Sequence, residues 1–415
     1  MIKKTRRQPV GNPEWAGLWI DDPLHRAYLR QDVQRQLDFF RPMLRGDGGF
    51  DVPDFEGNPL DSGIQELHTT TRMVHSFALG KQFGFSDCDD VIDAGMAYLW
   101  NNHRDCTYGG YFAAMSHGGG TADDTKLAYG HMFVLLAAAT AKEAGHPDAD
   151  RLLADVDNIL QDRFWERKHH RYADEFRADW TPFSTYRGLN ANMHGVEALL
   201  AAFEATNDSA YLDCAGGILA FFFDELAPRH DWRLPEHFHE DWTVDASYEG
   251  NPMFRPAGTT PGHSFELGRL MLHHWDLNKR EDPQAPEKAK RVIASALVQG
   301  AHPEGGFVYT LEEGKISKPD RYWWPVAEAI NALAAVQKID PSPEIETQYR
   351  ALWRFADRHF IDHSLGGWFP EIDETGNHVS KQFVGKPDIY HSIQAGLFPP
   401  VKRLSRLAKS RWSGR

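Results

Sequence analysis

The sequence predicts an all-α protein, an (α/α)6 barrel of six helical hairpins with short β-hairpins at the rim. Three observations carry this expectation. Turns of one kind recur: Gly48-Gly49-Phe50, Gly109-Gly110-Tyr111, Gly305-Gly306-Phe307 and Gly366-Gly367-Trp368, with His170-Arg171-Tyr172 and Asp231-Trp232-Arg233 as weaker relatives. Their starts are separated by 61, 61, 61, 74 and 61 residues, and so regular a period marks a structural repeat. An apolar helical segment follows every turn, and in four of the six a histidine stands near its start.

The helical segments read, in order, TTTRMVHSFAL, YGHMFVLLAAA, NANMHGVEALLAAF, PGHSFELGRLML, WWPVAEAINALAA and DIYHSIQAGLF. Aligned on their first turns, they place Arg72, His131, His194, His263, Pro325 and His391 at one position. Three residues on come His75, Val134, Glu197, Glu266, Glu328 and Gln394. Residues three apart share a helix face. If the ring closes, the inner helix starts converge on one axis and carry imidazoles, carboxylates and a guanidinium. Between these segments lie stretches such as ADRLLADVDNILQDRFW and SPEIETQYRALWRFADRHF, whose periodicity suits an outer helix before each turn. Strand signals are confined to pieces beside the turns, such as GGFVYTLEE.

A length of 415 residues could hold two or three domains. The unbroken repeat predicts one barrel spanning 1–415, because each unit buries its apolar face only against its neighbours. A net charge of −14 argues against nucleic acid and against an anionic membrane surface. No stretch reaches the roughly 18 apolar residues of a membrane span. The basic start, Lys3-Lys4-Thr5-Arg6-Arg7, leads into no apolar core and is not read as a secretory signal. Cys88, Cys106 and Cys214 are unpatterned, so a disulfide framework is not expected and the cytoplasm is the default location. Asp241 to Thr260 lengthens one interval and is expected to border the pocket as a loop insertion.

His194 and Glu197, and His263 and Glu266, are spaced i, i+3, so each glutamate could orient its imidazole or hold a substrate hydroxyl. Asn190, and Thr259 or Thr260, are expected as N-caps, with Pro261 at the first helical position. A helix N-terminus disfavours protonated imidazole, and neutral imidazole is what a general base requires. Single histidines of this kind are more often satisfied core residues; three in one register point to chemistry. His131 lacks the carboxylate and is read either as structural or as supporting the pocket residues from behind. Arg72 suits a sugar hydroxyl, a carbonyl or an anion, or else a buried salt bridge. Trp324 suits the apolar face of a sugar ring, whereas Trp323 is read as packing. The sequence has no HExxH, no calcium loop, no G-x-S-x-G elbow, no P-loop and no dinucleotide fingerprint, so neither metal nor cofactor is expected.

The segments RGLNANMH with Glu197 following, TTPGH with Glu266 following, and DIYH together resemble the N-acylglucosamine 2-epimerase superfamily, over about residues 20 to 400. The resemblance implies the same six-hairpin barrel. The NANMH and DIYH contexts look most like its aldose–ketose isomerase branch. Carried over, His194, His263 and His391 match the family's pocket histidines, and Arg72, Asn190, Arg255, Glu266, Trp324 and Tyr129 match positions lining the sugar site. His68 stands where the sulfoquinovose isomerase pattern has tryptophan, which leaves mannose-type hexoses ahead. The implied activity interconverts an unphosphorylated aldose and ketose, D-mannose and D-fructose, through an enediol. Such a reaction needs acid–base groups and no redox cofactor. The implied partner is a monosaccharide, and the protein is a monomer or a homo-oligomer. Competing readings are a 2-epimerase acting on mannose, glucose, an N-acyl sugar or a disaccharide; an α/α-barrel glycoside hydrolase, which would need paired carboxylates; and a non-catalytic sugar-binding protein.

Overall fold

Each unit of the repeat folds as a turn, a short strand, an inner helix and an outer helix. The computed structural model describes residues 8–251 and 255–407; the basic start at residues 3–7 lies outside them. The helices in chain order are α1 (Pro23–Phe40), α2 (Leu67–Gln82), α3 (Asp89–Tyr98), α4 (Ala128–Glu143), α5 (Ala149–Ile159) and α6 (Leu189–Thr206). They continue as α7 (Ser209–Ala220), α8 (Pro261–Leu277), α9 (Ala285–Gln299), α10 (Trp323–Ile339), α11 (Pro343–His359) and α12 (Tyr390–Leu397). The even-numbered helices form the inner ring, and each packs against the next, with α12 returning to α2.

The two layers differ as their sequences require. Inner α4 (AYGHMFVLLAAATAKE) is buried on nearly every side, because it meets two ring neighbours and an outer helix. Outer α5 has a single apolar stripe, Leu152, Leu153 and Val156, and an exposed polar face. Among the described residues no outer helix follows the last inner helix. Its partner is α1, which packs against α12 and reaches α11 through Tyr28 Oη to Asp357 at 2.8 Å. The first and the last described helices therefore build the sixth hairpin together.

The recurring turns share a backbone conformation. Gly48, Gly109, Gly110, Gly305, Gly306, Gly366 and Gly367 all have positive φ. In the weaker relatives the same positions are strained without glycine: His170 lies at φ 54°, Asp231 at 52° and Trp232 at 62°. The third residue then turns inward, and Phe50, Tyr111, Tyr172, Phe307 and Trp368 are all buried. In three units a side chain from the strand or inner helix accepts this residue's backbone N–H. Phe50 donates to Gln65 Oε1 (2.7 Å), Tyr111 to His131 Nε2 (3.0 Å) and Tyr172 to Asn192 Oδ1 (2.9 Å). His131 is thus a clamp on a turn, with its Nδ1 against the Leu127 carbonyl.

Short strands tie each unit to the next. The strand before α2 pairs with Ala114–Ser116, that before α4 with Glu175–Phe176, that before α6 with His237–Phe238, and that before α10 with Glu371–Ile372. Thr259, before α8, bridges Leu311, and Lys386, before α12, donates its N–H to the Pro53 carbonyl. These staples hold the inner helix N-termini at one end of the barrel. The expected rim hairpin in GGFVYTLEE is Thr310–Glu312 paired with Lys315–Lys318.

Removing a clamp leaves a buried backbone N–H without an acceptor. His131→Ala and Asn192→Ala should each lower the unfolding free energy by about 1–3 kcal/mol, read from denaturant midpoints at unchanged slope.

Candidate active site

Helix starts set the depth of each side chain along the barrel axis. Arg72 and His194 are the sixth residues of α2 and α6, as are Glu266 and Glu328 in α8 and α10. The sixth residue of α4 is Phe133, not His131. His263 and His391 stand instead at the third and second residues of α8 and α12. The histidines aligned in sequence therefore occupy two levels. His263 and His391 lie near the mouth, His194 lies one turn deeper, and His131 faces away into the wall.

A cavity of about 570 Å³ opens at this end. Arg72, Tyr129, Asn190, His194, His263, Glu266, Trp324 and His391 all line it, as the resemblance implies. Trp323, read as packing, also lines it, as do His68, Tyr309 and Asp388. Gln382, Phe383 and Val384 form part of the rim. Arg255 does not line it. The guanidinium is held by Glu175 at 2.7 Å and lies 4.1 Å from the centre of the Tyr186 ring. The described part of the Asp241–Thr260 insertion contributes instead to a neighbouring cleft of about 660 Å³, shared with the Thr310 hairpin. One of the expected N-caps is corrected too. Gly188 occupies the cap of α6, so Asn190 is inside the helix; Thr260 caps α8 by position, without a side-chain bond, and Pro261 follows it as expected.

The carboxylates that orient the histidines come from other segments, not from i, i+3 partners. His263 Nδ1 lies 2.9 Å and 3.1 Å from the two oxygens of Glu236, which precedes the strand pairing with the α6 entrance. His391 Nδ1 lies 2.8 Å from Glu328 Oε1 on α10. A carboxylate only accepts, so each Nδ1 carries the hydrogen and each neutral ring keeps its lone pair on Nε2. Sequence reasoning missed Glu236. A signal was present: it stands three residues after the third turn position, as Glu175 and Glu371 do in their units.

Trp324 packs near both rings, with its centroid 5.2 Å from that of His263 and 5.6 Å from that of His391, tilted 35° from each. Its close seat against α8 depends on Gly262, where a Cβ would fall 2.2 Å from the indole. Arg72 is fixed by Asp388 Oδ2 at 2.6 Å and by the Tyr129 hydroxyl at 2.7 Å, above the Phe133 and Tyr390 rings. The salt bridge and the pocket position expected for Arg72 as alternatives are both realised. Asp388, three residues before His391, was not singled out in sequence.

The floor is a layer of buried charge. Arg269 lies 3.7 Å from Glu197 and 3.6 Å from Glu328, and the Tyr390 hydroxyl donates to Glu197. His194 Nδ1 is 3.5 Å from Glu266 and 3.9 Å from Glu197. Burial lowers the His194 pKa to about 3, so the ring is neutral. Burial would raise Glu197, but Arg269 and the imidazoles nearby hold it below the usual carboxylate range. Burial, then Glu328 and Glu197, push Glu266 far upward. Two ionised carboxylates at the 4.8 Å limit of this cluster would repel by roughly 3 kcal/mol at an effective dielectric of about 20. Behind the floor lies a second, smaller cavity of about 90 Å³, lined by His75, Thr140, Glu197, Arg269 and Gln394 among others.

Donor atoms of His194, Glu197 and Glu266, and of Glu266, Glu328 and His391, lie within 4.8 Å of one another and could geometrically hold a cation. Their chemistry suits that poorly. Arg269 already stands against two of the carboxylates, and the His391 Nδ1 is committed to Glu328. The arrangement is that of a buried acid–base cluster.

The whole chain has relatives of known kind. A D-mannose isomerase from Thermobifida fusca is 38% identical over 94% of this chain and 98% of its own length. A crystal structure of D-mannose isomerase superposes with a TM-score of 0.83 at 31% identity, covering 89% of this chain and 96% of that one. Cellobiose 2-epimerase from Spirochaeta thermophila DSM 6192 shares the fold, with a TM-score of 0.80 at 21% identity over 90% and 95% of the two chains. Residues 48–395 match the N-acylglucosamine 2-epimerase (GlcNAc 2-epimerase) family, and the chain belongs to that family.

Proposed function

We propose that this protein is an aldose–ketose isomerase that interconverts D-mannose and D-fructose. The observation that carries the reading is the pair His263 and His391. Each has its Nδ1 fixed by a buried carboxylate, and both stand beside Trp324 at one cavity. Relatives named as D-mannose isomerases, matched over nearly the whole chain, supply the substrate.

The reaction opens the sugar ring, takes the proton from C2 to give an enediol, and returns a proton to C1. In this reading His391 Nε2 is the base at C2, and His263 moves protons at O1, O2 or C1. Neutral imidazole with an outward lone pair is the form such a base needs. His194, neutral and deeper, polarises a sugar oxygen and assists ring opening. Arg72, held rigidly by Asp388 and Tyr129, offers a fixed positive charge to the enediolate oxygens. Asn190, with a buried Oδ1 that has no partner in the protein, and Glu266 complete the binding of hydroxyls. The ligand is a monosaccharide; among the described residues no helix is long and apolar enough to cross a membrane.

Mannose incubated with the enzyme should give fructose, identified by chromatography; glucose as sole product would mean 2-epimerisation instead. General acid–base catalysis contributes roughly 10²–10⁴-fold, so His263→Ala and His391→Ala should each lose at least that much kcat while remaining folded. His131→Ala should keep near-normal turnover.

The carboxylate partners give a separate test. Glu236→Gln and Glu328→Gln present an amide that can donate to Nδ1 and so favour the wrong tautomer. Each should lower kcat by on the order of 10²-fold or more, with KM changed little. Dialysis against a strong chelator should leave the rate unchanged; loss restored by a divalent ion would reverse the metal-free assignment.

A further inference from the structure

We propose that Glu266 rests as a neutral carboxylic acid and serves as the uncharged hydrogen-bond donor to the negative oxygen of the reaction intermediate. The second half of this proposal rests on the isomerase reading; the first does not. The geometry carries it. Glu266 is wholly buried, lines the floor of the sugar cavity, and has no hydrogen-bond partner on either oxygen.

Its neighbours are unequally served. Glu328 takes the His391 Nδ1–H and faces Arg269, and Glu197 takes the Tyr390 hydroxyl and faces the same guanidinium nitrogen. The second arginine nearby, Arg72, is bound to Asp388. That leaves Glu266 as the third carboxyl of the cluster, without a cation of its own. A bare buried carboxylate among like charges takes up a proton, and burial with Glu328 and Glu197 moves Glu266 in that direction. The nearest side-chain base to receive its O–H is His194 Nδ1 at 3.5 Å, which is neutral and so can accept.

A neutral acid at this place has a use that an ionised one would defeat. Charge develops on a sugar oxygen when C2 loses its proton, and an ionised Glu266 beneath it would repel that charge. A carboxylic acid donates to it without bringing a compensating charge, and the dry floor strengthens the bond. No proton need leave Glu266 in the cycle.

The test reads protonation directly. Infrared difference spectra of the wild-type enzyme minus Glu266→Gln at neutral pH should show the C=O stretch of a buried protonated carboxyl. Asp174, which burial raises to about 7, is present in both proteins and cancels. Absence of the band would overturn the proposal, as would its appearance only after chelation, which would mean that a bound cation ionises Glu266. For the catalytic half, Glu266→Gln keeps a neutral donor and should retain kcat within about tenfold, whereas Glu266→Leu should lose roughly 10²–10³-fold. A Gln variant as inactive as the Leu variant, with folding confirmed by circular dichroism, would overturn the donor role. If the wild type fails to convert mannose to fructose, the isomerase reading falls, and the infrared result still decides the protonation.

Discussion

The structure depends on one guanidinium. Arg269 lies beside both Glu197 and Glu328, and the contacts that orient His391 and the floor of the site lead back to it. Through Glu328 it fixes the His391 ring; through Glu197 it meets the Tyr390 hydroxyl and the His194 level. Such a cluster is a weak source of stability, since taking these groups out of water costs about as much as their attraction returns. Its product is orientation. Six apolar helices must close around it before the charges have partners, so the hydrophobic ring bears the cost and the site receives rigid imidazoles.

The turns were legible in sequence because their cause is local. Positive φ favours glycine, and four Gly-Gly pairs, spaced 61 residues apart within each half, showed where the chain reverses. The inner helices were legible because burial on all sides leaves alanine and leucine without a polar face. Depth along the axis was not legible. Aligning the first histidine of each helix put His131 and His194 together, but depth is set by where each helix begins, and α4 and α6 begin at different distances from their histidines. Two residues along a helix turn a side chain from cavity to wall.

Partnerships across units were also hidden. The i, i+3 spacing of His263 and Glu266 suggested a pair, yet Glu236 arrives from the preceding segment and takes His263, leaving Glu266 to the floor. His391 likewise finds its carboxylate on the neighbouring helix. The position of Arg255 was lost for the same reason: the loop reading could not see that Glu175, a strand residue far away in sequence, would hold it beside the site instead of inside it. Each of these facts is a long-range contact, and periodicity within one segment carries no record of it.

The hairpin assembled from α1 and α12 has a consequence for biosynthesis. Chain made early must wait for chain made late: α1 leaves the ribosome first, yet the inner helix it covers is synthesised last. Until α12 arrives, α10 and α2 each present an uncovered apolar flank, and His391 is absent from the mouth. Ring closure therefore joins segments far apart in sequence, a class of contact that is entropically slow to form. The nascent chain is an open arc with two sticky ends, and the interval before closure is when it is most exposed to holdase binding or to joining another arc.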